Sequence, residues 1–281
     1  MGASMDTFDR DGLTFDVVDS GRPERGTAVL LHGFPQTSQS WTAVSSILTA
    51  AGLRTIAPDQ RGYSPGARPR GRYAYRAAEL VSDIESLIIQ GDDGPVHLVG
   101  HDWGALVAWR LAAVRPDLVR SLVTVSVPHP AAFVSSLLSS DQLRRSWYMG
   151  AFQIPLLPET IVTRYPGAFD AMLAATGMDE AMIADTRVRI VESGALTGGM
   201  NWYRAMPFSA PGDLRARVSV PTTHVWSPGD TALARRGADL TSRYVDADYE
   251  LRVLEDATHW IPDQNPAELA EIILERAGLT V

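Results

Sequence analysis

The strongest constraint on the fold is a set of short, nearly continuous apolar runs rich in β-branched residues. They lie at 27–34 (TAVLLHGF), 54–59 (RTIAPD), 95–100 (PVHLVG), 119–127 (VRSLVTVSV) and 221–227 (PTTHVWS), with a further strand expected at 249–255 (YELRVLE). A strand with one wet face alternates apolar and polar residues. Runs without alternation suit strands covered on both faces, as in a parallel sheet. Helical stretches separate them. Residues 77–90 put Leu80, Ile84, Leu87 and Ile88 on one stripe, and residues 105–116 form a strong helix stopped by Pro116. This alternation predicts a doubly wound α/β sheet, with an antiparallel edge strand before it at 15–21 (FDVVDSG). A chain of 281 residues can bury a sizeable core in this class.

From about Pro130 to Arg217 the alternation fails. This region is rich in Met, Trp and Tyr and carries short helical patterns. It reads as a helical insertion of residues 130–217 into a core made of 1–129 and 218–281. Open α/β sheets bind ligands at the carboxyl ends of their strands. An insertion between the strand ending near Val127 and the one starting near Pro221 is therefore expected to form a lid.

The charge of −8 (25 basic against 33 acidic residues) argues against nucleic acid or an anionic membrane surface as the main partner. With no cysteine there is no disulfide framework, thiolate metal site or cysteine nucleophile. The first residues lack the basic and apolar regions of a secretory leader. The longest apolar-leaning stretch, 122–138, is broken by Pro128, His129 and Pro130. A soluble cytoplasmic protein is expected.

Residues 100–104 read Gly-His-Asp-Trp-Gly between an expected strand and an expected helix. Strand, glycine-flanked turn and helix are the setting of the nucleophile elbow, whose better-known centre is serine. Here it is Asp102. As a plain helix N-cap, Asp102 would need no further explanation. As a nucleophile at a helix N-terminus, it is expected to be ionised at neutral pH. A base is expected at His259, after the last strand. His32, His97, His101, His129 and His224 lack that placement. Asp230, past the strand at 221–227, fits the order nucleophile, acid, base. Its competitor Asp256 shares the loop of His259. The loop His32–Gln36 follows a strand and can supply a backbone N–H to an oxyanion. The amides of Phe34 and Trp103 are the candidates, and the Phe34–Pro35 bond is a candidate for the cis isomer.

With these residues in place, the sequence is identified as a member of the α/β-hydrolase superfamily and resembles the epoxide hydrolases. Their His-Gly-x-Pro loop is matched by His32-Gly33-Phe34-Pro35, and their aspartate elbow by Gly100-His101-Asp102-Trp103-Gly104. Their two cap tyrosines are matched by Tyr148, upstream of Phe152-Gln153, and by Tyr203, within Asn201-Trp202-Tyr203-Arg204. The likeness spans essentially the whole chain. It implies the α/β-hydrolase fold: a mostly parallel sheet flanked by helices, with a helical cap inserted after the sixth strand. It further implies that Asp102 opens an epoxide, Tyr148 and Tyr203 hold and protonate its oxygen, and His259 with Asp230 activates water on the resulting ester. No cofactor or metal enters this chemistry.

The expected partner is a small hydrophobic epoxide, in contact with Phe34, Trp103, Trp147, Phe152 and Trp260. Trp202, Met206 and Phe208 are further candidates for the pocket wall or for plain packing. The nearest alternative is a haloalkane dehalogenase, which shares the aspartate, the histidine and Trp103. One common form of it has Asn after His-Gly, where this chain has Phe34, and Phe34 carries no side-chain donor. The fluoroacetate type has Arg after the elbow aspartate, where this chain has Trp103. A non-catalytic ligand-binding protein of the same fold is the alternative from another class. The missing serine disfavours an esterase.

Overall fold

In β3 (Thr27–Leu31) all five residues are buried, and successive side chains serve two different cores. Val29 and Leu31 join one apolar cluster, while Ala28 and Leu30 join another. A strand sandwiched between two helical layers reads as an unbroken apolar run for this reason. The computed structural model describes residues 4–209 and 214–279 of the chain. Residues 210–213, part of the expected insertion, lie outside the described residues, as do 1–3 and 280–281.

The apolar runs form β3, β4 (Arg54–Pro58), β5 (Val96–His101), β6 (Val119–Val125), β7 (Thr222–Trp226) and β8 (Tyr249–Val253). With β1 (Thr7–Arg10) and β2 (Leu13–Ser20) they make one eight-stranded sheet of order β1-β2-β4-β3-β5-β6-β7-β8. Its six central and distal strands run parallel; β1 and β2 are antiparallel additions. This is the α/β-hydrolase fold.

Two expectations are corrected here. The strand expected at 15–21 is not the edge of the sheet, because β1 pairs outside it through a tight hairpin. The hairpin turn is Asp11-Gly12, with φ of 52° and 77°. An Asp-Gly pair between alternating residues is a strong hairpin signal that the reading of 15–21 passed over. The run 119–127 stops as a strand at Val125, because Ser126 turns the chain with φ of 68°.

One face of the sheet packs against α2 (Ala77–Gly91) and α3 (Trp103–Val114). The stripe expected on 77–90 is present: Leu80, Ile84, Leu87 and Ile88 are buried. The other face packs against α1 (Thr42–Ala50) and α13 (Pro266–Arg276), through Val44, Leu48, Leu269 and Ile273. Between β6 and β7 the described residues hold seven α-helices, α4 (Pro130–Ser139) to α10 (Leu196–Ala205), and no strand. Phe152, Phe169, Leu173 and Trp202 of this segment join the same core as α2 and α3. Helices α11 (Arg235–Thr241) and α12 (Ile261–Gln264) complete the chain. Among the described residues no helix is long and apolar enough to cross a membrane.

Candidate active site

The site lies where β5, β7 and β8 end. Asp102 follows the last residue of β5 and precedes α3, with φ 50° and ψ −119°. That region is costly for a residue with a Cβ and persists only where the surroundings enforce it. The enforcement is visible in the glycines. A Cβ on Gly104 would stand 2.1 Å from the Leu31 carbonyl oxygen, and one on Gly33 would stand 2.3 Å from the Asp102 Cβ. Only glycine lets the helix start so close to β3, and lets the loop after β3 pass over the elbow.

Asp102 makes no capping hydrogen bond to α3, so the plain helix-cap reading does not describe it. Instead, its Oδ1 accepts the Phe34 amide at 2.8 Å, and the adjoining Trp103 amide also favours the charged form. The Phe34–Pro35 peptide is cis, as the sequence suggested. The loop is held from below by His32, whose Nε2 accepts the Gln60 amide at 3.1 Å. Burial raises the Asp102 pKa above the usual carboxylate range, against the pull of His259 and the two amides. The expectation that the helix N-terminus sets this charge therefore gives way to a balance in which burial is the largest influence.

His259, in the loop after β8, donates from Nδ1 to Asp230 Oδ2 at 2.7 Å. Its Nε2 stands 3.8 Å from Asp102 Oδ2. Asp230, in the loop after β7, is fully buried, and its Oδ1 accepts the amides of Ala232 and Leu233 at 2.8 and 2.9 Å. Burial works against its charge, but His259 and those amides outweigh it and hold the carboxyl below its usual range. Burial likewise opposes the imidazolium of His259, yet Asp230 and Asp102 hold its pKa above the ordinary 6.5. Asp256 is exposed.

Tyr148 lies on α6 (Trp147–Ala151) and Tyr203 on α10, with rings 6.1 Å apart. Burial, with the nearby Asp102 charge, raises both hydroxyl pKa values, so both are protonated donors at neutral pH. The Trp103 and Tyr203 rings meet edge to face with centroids 4.9 Å apart. The two tyrosine segments interlock: Gln153 Nε2 donates to the Tyr203 carbonyl at 2.7 Å, and Arg204 Nε donates to the Phe152 carbonyl at 3.0 Å. The residues beside each tyrosine thus fix the other.

Two apolar cavities meet at Asp102, Tyr148 and Tyr203. The smaller, about 280 Å³, is walled by Leu106, Phe133, Leu137, Met149, Trp202 and Met206, among others. The larger, about 660 Å³, is walled by Phe34, Phe152, Met172, Leu173 and Trp260, and includes His259. Trp147 lines the larger cavity but is 68% exposed, which places it at the mouth. Phe208, a candidate for the pocket wall, lines neither cavity; it packs at the surface against Tyr73 and under Arg72. Leu106, Phe133, Met172 and Leu173 were not anticipated, because an apolar helical residue gives the same signal whether it faces a core or a cavity.

The loop carrying His259 is tied to its surroundings. Ser227 Oγ donates to the Ala257 carbonyl at 2.6 Å, and His101 Nε2 lies 2.8 Å from the His259 carbonyl oxygen. On the other side, Trp260 Nε1 donates to Thr176 Oγ1 at 3.1 Å, and Gln264 Nε2 to the Gly177 carbonyl at 2.7 Å.

The fold and this site define a hydrolase of the elbow-bearing α/β type, and the comparisons agree. Residues 28–272 match the alpha/beta hydrolase family. The AB hydrolase superfamily protein YfhM of Bacillus subtilis is 33% identical over 98% of both chains. Epoxide hydrolase 3 of Xenopus tropicalis is 32% identical, over 93% of this chain and 74% of its own. The crystal structure of an epoxide hydrolase from Vigna radiata superposes with a TM-score of 0.80 at 25% identity, covering 96% of each chain. The chain belongs to the alpha/beta hydrolase family, and within it to the group that these epoxide hydrolases form.

Proposed function

We propose that the protein hydrolyses an apolar epoxide to a vicinal diol through an ester on Asp102. The observation that carries this reading is the asymmetric setting of the Asp102 carboxylate. Oδ1 is held by the Phe34 amide, whereas Oδ2 points toward His259 and the cavities that Tyr148 and Tyr203 also line.

An epoxide carbon is an sp³ electrophile attacked from behind. A carboxylate attacks it without first losing a proton, as a serine would have to. Asp102 Oδ2 forms the C–O bond while the ring C–O bond breaks. The departing alkoxide takes a proton from Tyr148 or Tyr203 and a hydrogen bond from the other. In the second step His259 takes a proton from water, and the hydroxide oxygen attacks Cγ of Asp102. The negative charge gathers on Oδ1, where the Phe34 amide already donates and the Trp103 amide is the second candidate donor. Collapse expels the diol oxygen, which is protonated from the His259 imidazolium. The acid left on Asp102 then gives up its proton, which returns to the tyrosinate formed in the first step, and carboxylate and phenol are both regenerated. Asp230 orients His259 and stabilises its charge.

In this reading residues 130–217 act as a cap on the core of 1–129 and 218–281. Phe34, Trp103, Phe152 and Trp260 form the walls against which the apolar substituents lie, with Trp147 at the mouth. The chemistry uses side chains and backbone amides of this chain alone.

Dehalogenation would use the same nucleophile. A halide needs N–H donors, and Phe34 has none in its side chain, whereas Tyr148 and Tyr203 line both cavities beside Asp102 and suit an alkoxide. The deciding experiment offers a panel of aliphatic and aryl epoxides and 1-haloalkanes. Diol formation without halide release is expected. Halide release with no epoxide consumed overturns the reading in favour of the dehalogenase.

A further inference from the structure

We propose that His101, together with Ser126, is a positioning residue for the base: the two side chains clamp the backbone of His259 to the elbow. The inference rests on the two-step reading above.

His101 is the last residue of β5 and directly precedes Asp102. It is fully buried and lines neither cavity. Its Nε2 lies 2.8 Å from the His259 carbonyl oxygen. A carbonyl only accepts, so the His101 proton sits on Nε2. Nδ1 is then a bare lone pair, and it is buried without a partner among the described residues. Burial and the neighbouring His259 charge lower the His101 pKa to about 3, so this ring stays neutral beside the base. It therefore acts as a fixed donor and does not compete with His259 for protons.

Ser126 supplies a second donor. It follows β6 directly, is fully buried, and adopts φ of 68°. From that strained turn its Oγ reaches the same carbonyl at 3.3 Å. Non-glycine residues hold such backbone angles only where the surroundings over-determine them.

The placement has a geometric consequence. The loop after β8 must cross the ends of β7 and β6 to bring His259 to Asp102 on β5. Asp230 fixes the imidazole from Nδ1, but a ring held at one atom can still swing with its backbone. The His101 and Ser126 donors fix that backbone. Because His101 is bonded to Asp102, the position of the base is referred to that of the nucleophile through a single side chain. Ring opening needs only Asp102 and the tyrosines. Ester hydrolysis needs His259 at the right place relative to Cγ of Asp102, so the clamp serves the second step.

The test compares His101→Met with His101→Gln. The two side chains are alike in length, and only Gln offers a terminal N–H. Rapid-quench mass spectrometry follows ester on Asp102 during turnover of any epoxide the wild type accepts. In His101→Met, ester hydrolysis is expected to slow about 10- to 100-fold, as misplacement of a catalytic group does. Ring opening stays within about threefold, so ester accumulates; His101→Gln restores hydrolysis most of the way. Ester hydrolysis at the wild-type rate in His101→Met overturns the proposal. So does a parallel loss of both steps, or a Gln variant no better than Met. Should neither variant fold, Ser126→Ala decides: slowing of hydrolysis alone supports the clamp, and unchanged kinetics overturn it. If wild-type protein turns over epoxides with no ester ever on Asp102, the two-step reading itself falls, and this inference with it.

Discussion

Nε2 of His259 stands 3.8 Å from Oδ2 of Asp102, beyond hydrogen-bonding distance but near enough for one water to touch both. The other ring nitrogen is held at 2.7 Å by Asp230. The base is thus anchored at its far side and left open at the side facing the ester it would hydrolyse.

Removing the nucleophile separates chemistry from folding. Asp102→Ala is expected to lower epoxide turnover by at least about a thousandfold. Ala in this backbone conformation costs roughly 1–2 kcal/mol of stability, so the variant still folds. Diol formation near the wild-type rate in a folded variant would contradict the assignment.

Removing the base should trap the intermediate. His259→Gln leaves ring opening intact but leaves no group to take the proton of water. Intact-protein mass spectrometry is expected to find a mass increase equal to that of the epoxide, located on the peptide bearing Asp102. Failure to see the adduct with any epoxide that the wild type consumes counts against the ester.

The tyrosines act in the opposite half. Tyr148→Phe and Tyr203→Phe each remove one donor from the cavity junction, and the double variant removes both. The double variant is expected to slow ring opening by about 10²–10⁴-fold, the range of general acid catalysis. Ester hydrolysis, measured on enzyme already alkylated, stays nearly unchanged. Equal losses in both steps would assign the tyrosines to packing.

The pH dependence follows from the raised His259 pKa. The base works only when neutral, so ester hydrolysis falls as pH drops through the His259 pKa, which Asp230 still holds up in the ester while the lift from the Asp102 charge is lost on esterification. Asp230→Asn removes the main carboxylate that favours the imidazolium and leaves the burial that disfavours it. The acid limb is therefore expected to move to lower pH, while the plateau rate falls on the order of 10³-fold from lost orientation. A single-turnover pH profile checks both; a limb that does not move refutes the coupling.

Gly104 offers a test of the fold. A methyl group there would meet the Leu31 carbonyl oxygen at 2.1 Å, backbone against backbone. Gly104→Ala is expected to cost about 3 kcal/mol or more, since neither partner can yield cheaply. Denaturant unfolding measures it, and a loss under about 1 kcal/mol would mean that the elbow relaxes.

Much of this arrangement is legible in the sequence because strand ends organise it. Asp102, Asp230 and His259 each follow an apolar run, and the parallel sheet brings those three ends to one side. The β1 strand is not legible from apolarity, since four residues at an edge bury only Phe8 well; its signal is the Asp-Gly turn. His101 lacks the placement of a base, and what it touches instead depends on a loop 158 residues away. Phe208 and Leu106 are both apolar and helix-borne, yet one caps a surface arginine and the other walls a cavity. That difference is set by packing between layers and leaves no trace in local periodicity.

The ties from Trp260 to Thr176 and from Gln264 to Gly177 fasten the base-bearing loop to the helical segment above it. Access to the larger cavity and the alignment of the base are therefore not separate design variables. Thr176→Val, chosen to make that wall more apolar, would also strip the acceptor from the indole beside His259. Engineering of substrate scope at Thr176 is expected to change hydrolytic timing as a side effect, and substitutions at Met172, on the helix that ends just before Thr176 but outside these ties, avoid that penalty.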